Sequence, residues 1–141
     1  MFSIEDIKRV LPQTFPFLLI DRIIDFKKGE SLTAVKNITA NEWVFGDGGH
    51  PCDVFPETLL IEAAAQTGLA LYALSKNSCA PIKLTIGKID GFFKEQAKVG
   101  DQLKITAFAT KMMTNLGYIK IEITLSDLEI ANIDLMYSAR R

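Results

Sequence analysis

The sequence predicts an α+β fold in which an antiparallel sheet packs against one long buried helix. Residues 56–75 are apolar on most sides and rich in small side chains, which is typical of a helix enclosed by other elements. The segments on both sides of this helix alternate apolar and polar residues, as half-buried strands do. The chain has 141 residues, enough for one domain and short for two, so residues 1–141 are assigned to a single domain.

The predicted elements before the long helix are a short helix and a strand hairpin. Residues 3–11 form the short helix, with Ser3 as its N-cap and Asp6 at the position where a capping box places an acid. Two strands follow at residues 15–26 and 31–39, joined by a Lys-Lys-Gly-Glu turn. Their patterns predict an antiparallel pair.

An irregular stretch, the long helix and four more strands come next. Residues 40–55 hold three glycines in four positions, which indicates unusual backbone conformations. Pro56 suits the first turn of the helix, and Glu57 suits the positive end of its dipole. The remaining predicted strands span residues 82–93, 101–112, 117–126 and 129–139, with turns at 99–101, 115–117 and 126–129.

Composition excludes several classes of protein. Lysine plus arginine total 16 and aspartate plus glutamate 17, so the net charge of −1 argues against a nucleic-acid binder. One histidine and two cysteines, without a Cys-x-x-Cys pair, argue against a disulfide framework and against a structural metal site. No signal-peptide core is apparent, and the apolar runs are shorter than the roughly 18 residues of a membrane span. We therefore expect a soluble, cytoplasmic protein without a membrane span.

Two polar residues interrupt the apolar helix. Glu62 and Gln66 are four positions apart and therefore lie on one face, about one turn from each other. A carboxylate is costly to bury unless it is paired, protonated or placed in a pocket. A carboxyl that is kept protonated in such a place can act as a general acid. The alternative is a partly exposed glutamate at the rim of the helix.

His50 is the only histidine, and it lies in the glycine-rich stretch about six residues before the helix. A neutral imidazole is the natural general base near pH 7, so His50 is a candidate base. The alternative is a loop histidine that hydrogen-bonds only to backbone. Cys52 is interpreted as a small apolar side chain rather than as a nucleophile, because two residues in a loop do not set up a nucleophile and its base.

Several motifs resemble those of one enzyme family. Residues 11–22, LPQTFPFLLIDR, resemble the opening motif of the β-hydroxyacyl-[acyl carrier protein] dehydratases of type II fatty acid synthesis, the FabZ type. Residues 35–42, VKNITANE, and residues 56–66, which end in LIEAAAQ, are similar to further motifs of that family. Similarity at residues 100–103 and 138–141 extends the resemblance over nearly the whole chain.

The resemblance implies a hotdog fold, in which a sheet wraps around the long helix. It also implies a dimer or three dimers, with active sites at the subunit interface. The family removes water from a 3-hydroxyacyl thioester on acyl carrier protein and gives the trans-2-enoyl thioester. A histidine takes the α-proton, and a glutamic acid from the other subunit assists departure of the hydroxyl. Backbone N–H groups at the helix start polarise the thioester carbonyl. This chemistry requires no metal and no organic cofactor.

The resemblance also assigns site residues. Glu62 and Gln66 match the family's glutamate and glutamine. The family's histidine falls on Gly48 when no gap is introduced, and His50 lies two positions later, so we expect a rearranged histidine loop. The expected catalytic residues are His50 and Glu62, and the expected substrate contacts are Gln66, Glu57, Phe55 and Phe93.

Two further departures lie near the expected site. Glu57 stands where the family has a glycine, and Gln13 stands where it has a histidine. This pattern is expected of a specialised member in fatty acid synthesis or in a related lipid, polyene or polyketide pathway, and also of a member that lost activity. Two alternatives therefore stay open. One is a hotdog thioesterase in which Glu62 or Asp53 directs water at the carbonyl; the other is a non-catalytic partner subunit of a heterodimer.

The expected partner is acyl carrier protein, which is acidic, so its docking surface should be basic. The alternative interpretation of the basic side chains near Phe92 and Phe93 is an ordinary solvated surface. The candidate docking residues are Lys94, Lys98, Arg140 and Arg141.

Overall fold

The computed structural model describes residues 2–51, 53–76 and 84–139. Its helices are α1 (Ile4–Val10) and α2 (Glu57–Ser75), and a single 3-10 turn covers Trp43–Phe45. Its strands are β1 (Arg22–Lys27), β2 (Ser31–Asn37), β3 (Leu84–Phe93), β4 (Gln102–Met112), β5 (Leu116–Leu125) and β6 (Leu128–Ala139). The sequence-based interpretations of Cys52, Cys79, Arg140 and Arg141 fall outside the described residues.

These strands form one antiparallel sheet in the order β1-β2-β4-β5-β6-β3. Alternate residues of β4, β5 and β6 are buried, so one face of the sheet is apolar. This face packs on α2, which lies mainly against β2, β4 and β5. The arrangement confirms the predicted α+β fold, a sheet around one buried helix.

The two edges of the sheet differ. At the β1 edge, Phe2 exchanges two backbone hydrogen bonds with Ile23, at 3.0 and 3.1 Å. At the other edge lies β3, and among the described strands only β6 pairs with it. Ile89 and Phe92 of this edge strand are 45% and 66% exposed. Ile89 is opposite Leu135 and shares its α2-facing side of the sheet, yet α2 leaves it uncovered.

The boundaries of the short helix and of the long helix agree with the predictions to within one residue, but several strand boundaries differ, and β2 ends at Asn37 instead of residue 39. Ser3 and Asp6 form the predicted capping box of α1. The strand predicted at 15–26 is wrong in its first half, because the sheet begins only at Arg22. Leu116 and Leu128, predicted in turns, already belong to β5 and β6, which leaves the connection between those strands with only two residues.

The long helix α2 is apolar enough, over its 19 residues, to cross a membrane by length and composition alone. It is instead the core helix of the domain, since two thirds of its apolar window is buried inside the fold. Alanine has a small side chain and glycine has none, so the sheet can approach α2 closely. The alanines without exposed surface are Ala63, Ala64, Ala70 and Ala73. The apolar composition of α2 therefore reflects burial by protein.

Gly68 of α2 packs tightly against Tyr137 of β6. The Tyr137 hydroxyl donates a hydrogen bond to the Ala65 carbonyl oxygen at 2.7 Å. A Cβ atom on Gly68 would overlap that hydroxyl oxygen and would lie 3.1 Å from Cζ. Burial, and secondarily the charge of Glu62, raises the pKa of Tyr137 far above its ordinary value, so the phenol remains a donor.

Gly68→Ala is expected to lower the free energy of unfolding by about 1–3 kcal/mol, because overpacking outweighs the better helix propensity of alanine. Urea unfolding of Gly68→Ala, Tyr137→Phe and the double variant measures the effect. Removing the hydroxyl relieves most of the overlap, so the double variant should be more stable than the sum of the single changes predicts. Additive effects would contradict this packing account.

Candidate active site

Glu62 and Gln66 form a hydrogen-bonded pair on α2. The Gln66 side-chain N–H donates to Glu62 Oε1 at 3.0 Å. Gln66 is completely buried, whereas Glu62 is half-buried. Because Oε1 already accepts this bond, Oε2 is the oxygen that can carry a proton toward a ligand. The sequence-based prediction of a shared face is confirmed, and the pair gives the carboxyl one defined orientation.

Gln66 also attaches the segment before β1 to α2. Its Oε1 accepts the backbone N–H of Leu19 at 2.9 Å, and its Nε2 donates to the Phe17 carbonyl oxygen. Together with the bond to Glu62, these bonds involve both Oε1 and Nε2 of Gln66. They therefore establish which side-chain atom is oxygen and which is nitrogen. The buried amide therefore orients the Glu62 carboxyl. The sequence analysis instead expected Gln66 to contact substrate.

Phe17, whose backbone carbonyl accepts the bond from Gln66, forms an exposed aromatic surface with Trp43. Their rings meet edge to face with centroids 5.8 Å apart, and the Trp43 indole N–H donates to the Pro16 carbonyl oxygen at 3.1 Å. Trp43 is 47% exposed and Phe17 is 52% exposed. Sequence reasoning missed this surface, because the two rings are 26 positions apart and only the tertiary fold brings them together.

His50 lies in the exposed loop that precedes α2. Its backbone N–H donates to Asp53 Oδ2 at 2.8 Å, and the Asp53 N–H donates to the His50 carbonyl oxygen at 3.0 Å. Within the part of the chain that the structure describes, no group hydrogen-bonds to the imidazole or joins it to Glu62. The described hydrogen bonds therefore do not connect the two expected catalytic residues within one protomer.

Gly49 anchors the loop immediately before His50. Its N–H donates to the Ala40 carbonyl oxygen at 2.8 Å. A Cβ atom at this position would lie 2.9 Å from Val99 and 3.1 Å from Phe45, so only glycine fits without displacement of its neighbours. The imidazole therefore extends from a backbone that is held in one place.

The start of α2 carries the other expected contacts. Pro56 is the N-cap and supplies no side-chain hydrogen bond, and among the described residues the N–H groups of Glu57 and Thr58 have no acceptor. Glu57 and Phe93 line one surface cavity of about 260 Å³, together with Lys94 and Lys98. Phe55 is instead packed in the core, with 1% of its surface exposed.

A metal is not suggested by the described residues: among them, no three His, Cys, Asp or Glu side chains are grouped to hold one.

Gln13 lies before the Phe17 segment, and its Oε1 is buried without a hydrogen-bond partner in the described structure. It stands where the resemblance implies a histidine, and the sequence could not indicate this burial.

The sheet around a buried helix, with a carboxyl–amide pair on that helix, defines a hotdog-fold protein. The model of the FabA-like domain matches residues 11–133. A 3-hydroxyacyl-[acyl-carrier-protein] dehydratase FabZ of Listeria monocytogenes is 38% identical over 140 residues, which cover 98% of this chain and 96% of the relative. A FabZ of Halalkalibacterium halodurans is 32% identical, with 99% of this chain and 100% of the relative covered. The chain belongs to the FabA-like domain family.

Solved structures agree with this fold. The dehydratase heterocomplex ApeI:P from Xenorhabdus doucetiae superimposes with a TM-score of 0.78 at 14% identity, covering 96% of this chain and 91% of that one. An HP0420 homologue from Helicobacter felis gives a TM-score of 0.72 at 15% identity, covering 97% and 89%. At these identities the likeness supports the hotdog fold alone.

Gln66→Leu is expected to lower the free energy of unfolding by about 1–3 kcal/mol, since it leaves the buried Leu19 N–H without an acceptor. It should also lower the activity of the remaining folded protein, because Glu62 loses its orienting bond. Urea unfolding and a rate per folded molecule measure the two effects. The matched control is Gln102→Leu, an exposed amide that donates to Asn37 Oδ1 at 2.8 Å. Equal effects of the two changes would contradict the role given to Gln66.

Proposed function

We propose that the chain is a dehydratase that converts a 3-hydroxyacyl thioester on acyl carrier protein into the trans-2-enoyl thioester. Its pathway is fatty acid synthesis or a related lipid, polyene or polyketide pathway. The observation that carries the proposal is the Glu62–Gln66 pair: a half-buried carboxyl with one oxygen held by Gln66 and the other without a hydrogen bond to any described residue. The FabZ relatives, similar over nearly their full length, support the same reaction.

The reaction divides between three groups of this chain. The His50 imidazole takes the proton from the α-carbon, and the electron pair of that C–H bond forms the enolate. Open N–H groups at the start of α2, aided by the helix dipole, stabilise the enolate oxygen. As the Cα–Cβ double bond forms, the bond from Cβ to the hydroxyl breaks. Glu62 Oε2 gives its proton to that hydroxyl, which leaves as water.

A second copy of the chain brings these groups together in our proposal. Within one protomer, no described contact joins His50 to Glu62, so the histidine of one copy is expected to approach the glutamate of another. The open β3 edge supports a homodimer, since unpaired strand edges readily pair with a second strand. The exposed Ile89 would be covered in such a dimer. The same approach of His50 from one subunit to Glu62 of another is proposed for an assembly of three dimers and for a heterodimer with a related subunit.

Acyl carrier protein is the proposed partner, and the cytoplasm is the proposed compartment. Lys94 and Lys98 are exposed around the cavity that also holds Glu57 and Phe93, at the open end of α2. Lys98 and Lys94 are the proposed contacts of the acidic carrier; Glu57 and Glu95 line the same cavity, and Lys94 also pairs with Glu129 at 3.1 Å. The exposed Phe17–Trp43 surface, on the segment that Gln66 attaches to α2, is the proposed contact for the acyl chain.

The test is hydration of an enoyl thioester on acyl carrier protein, which is the reverse reaction, followed by loss of enoyl absorbance. Turnover without release of free thiol supports the dehydratase. Release of thiol at the same rate would favour a thioesterase. A folded protein that is inert on several chain lengths would favour a non-catalytic partner subunit.

A further inference from the structure

A buried ion pair lies outside the groups assigned to the reaction. Lys36 of β2 and Glu42, at the start of the 3-10 turn, have side chains only 3% and 14% exposed. The Lys36 ammonium bonds to both carboxylate oxygens of Glu42, at 3.2 Å for Oε2. Two charges removed from water carry a desolvation cost that their attraction often only balances. Stability alone therefore gives little reason for this pair.

The pair lies where three segments meet. The Lys36 ammonium is 5.4 Å from the centroid of the Phe55 ring, and Phe55 directly precedes the N-cap of α2. Phe55 in turn packs edge to face with Phe45, at a centroid distance of 6.4 Å. Phe45 also forms one wall of the tight space around Gly49. One contiguous cluster thus links β2, the loop that carries His50 and the start of α2.

A charge pair specifies geometry more strictly than apolar packing does. An ammonium held between a carboxylate and an aromatic face has few alternative positions in a buried site, whereas apolar side chains can repack. The cluster supports both groups that must act on the same thioester, the general base and the open N–H groups of α2. A small displacement of either would reduce the rate strongly.

We propose that Lys36 and Glu42 are positioning residues that fix the His50 loop relative to the first turn of α2. The proposal rests on the proposed function for its catalytic meaning, but the position of His50 can be observed without turnover. His50 is the only histidine in the chain, so a single set of imidazole NMR signals reports on it.

The test compares wild type with Lys36→Met/Glu42→Met, which removes both charges and keeps side chains of similar length. We expect unfolding in urea at the same or a higher midpoint, since apolar replacement of a buried pair is often neutral or stabilising. We expect kcat for hydration to fall about 10- to 100-fold, with a KM within about twofold of wild type. The His50 imidazole signals should shift or broaden.

The matched control is Lys8→Met/Glu5→Met. It removes an exposed pair on α1 with a separation of 3.9 Å and should change neither kcat nor the His50 signals. A stable Lys36→Met/Glu42→Met protein with wild-type kcat and unchanged His50 signals would overturn the proposal. If the wild type is inert, the proposed function fails, while a changed imidazole spectrum in the variant still supports positioning of the loop.

A second variant covers the case in which the apolar pair does not fold. Lys36→Arg keeps the positive charge but moves it, because the guanidinium is larger and planar. Shifted His50 signals together with a lower kcat, in a protein that still unfolds cooperatively, support the proposal. Unchanged signals and kcat in this variant would overturn it.

Discussion

Replacing Glu62 by Gln is expected to lower the rate of enoyl-thioester hydration by at least about two orders of magnitude. Glutamine has nearly the same shape, and its side-chain oxygen can still accept the bond from Gln66 that Glu62 Oε1 accepts at 3.0 Å. The change therefore removes the acidic proton and little else. Initial rates on enoyl-acyl carrier protein, measured beside urea unfolding of the same preparation, test this expectation.

The control for Glu62→Gln is the unfolding midpoint, which should stay near that of wild type because the hydrogen bond is retained. A variant of normal stability that keeps wild-type turnover would show that Glu62 is not the proton donor. If activity falls only in proportion to the folded fraction, the rate per folded molecule is unchanged. That result would also show that Glu62 is not the proton donor.

The second large effect is expected for His50→Ala, with hydration slower by about 10²–10⁴-fold. His50 is exposed, and its backbone bonds with Asp53 do not involve the imidazole, so the free energy of unfolding should change by less than about 0.5 kcal/mol. Initial rates and urea unfolding again provide the measurement. Turnover at the wild-type rate would make His50 an ordinary loop histidine.

Mixing the two inactive variants tests where the site is built. Glu62→Gln and His50→Ala subunits are unfolded together, refolded and assayed. Half of the resulting dimers contain one subunit of each kind, and one of their two sites has both groups intact, so about a quarter of wild-type activity should return. This recovery requires that each site takes its histidine and its glutamate from different subunits. No recovery would place both groups within one protomer.

The sequence was most informative where a local pattern determines the structure. The four-residue spacing of Glu62 and Gln66 on a helix is sufficient to predict their contact, and the capping box of α1 follows from Ser3 and Asp6. The hydrophobic alternation likewise located β2 and the four strands after α2, apart from their ends. These features depend on neighbours a few residues apart, or on burial of one face.

The errors arose where distant residues decide the conformation. The segment before β1 has the apolar composition of a strand, but Leu19 donates its N–H to the side chain of Gln66, which is 47 positions away. The irregular backbone of the histidine loop was expected, but its position also depends on distant residues, since Val99 and Phe45 form the tight space around Gly49. The resemblance identified these segments as important, and only the three-dimensional structure supplies their contacts.

The unequal edges of the sheet have a consequence for how many copies can associate through them. Phe2 occupies the backbone groups of Ile23 on one edge, while on the other edge no described strand pairs with the outer side of β3. Two copies that pair through β3 about a two-fold axis use up each other's open side. Growth by this route terminates at two, so the same backbone that favours a pair also protects the protein against open-ended polymerisation into fibres.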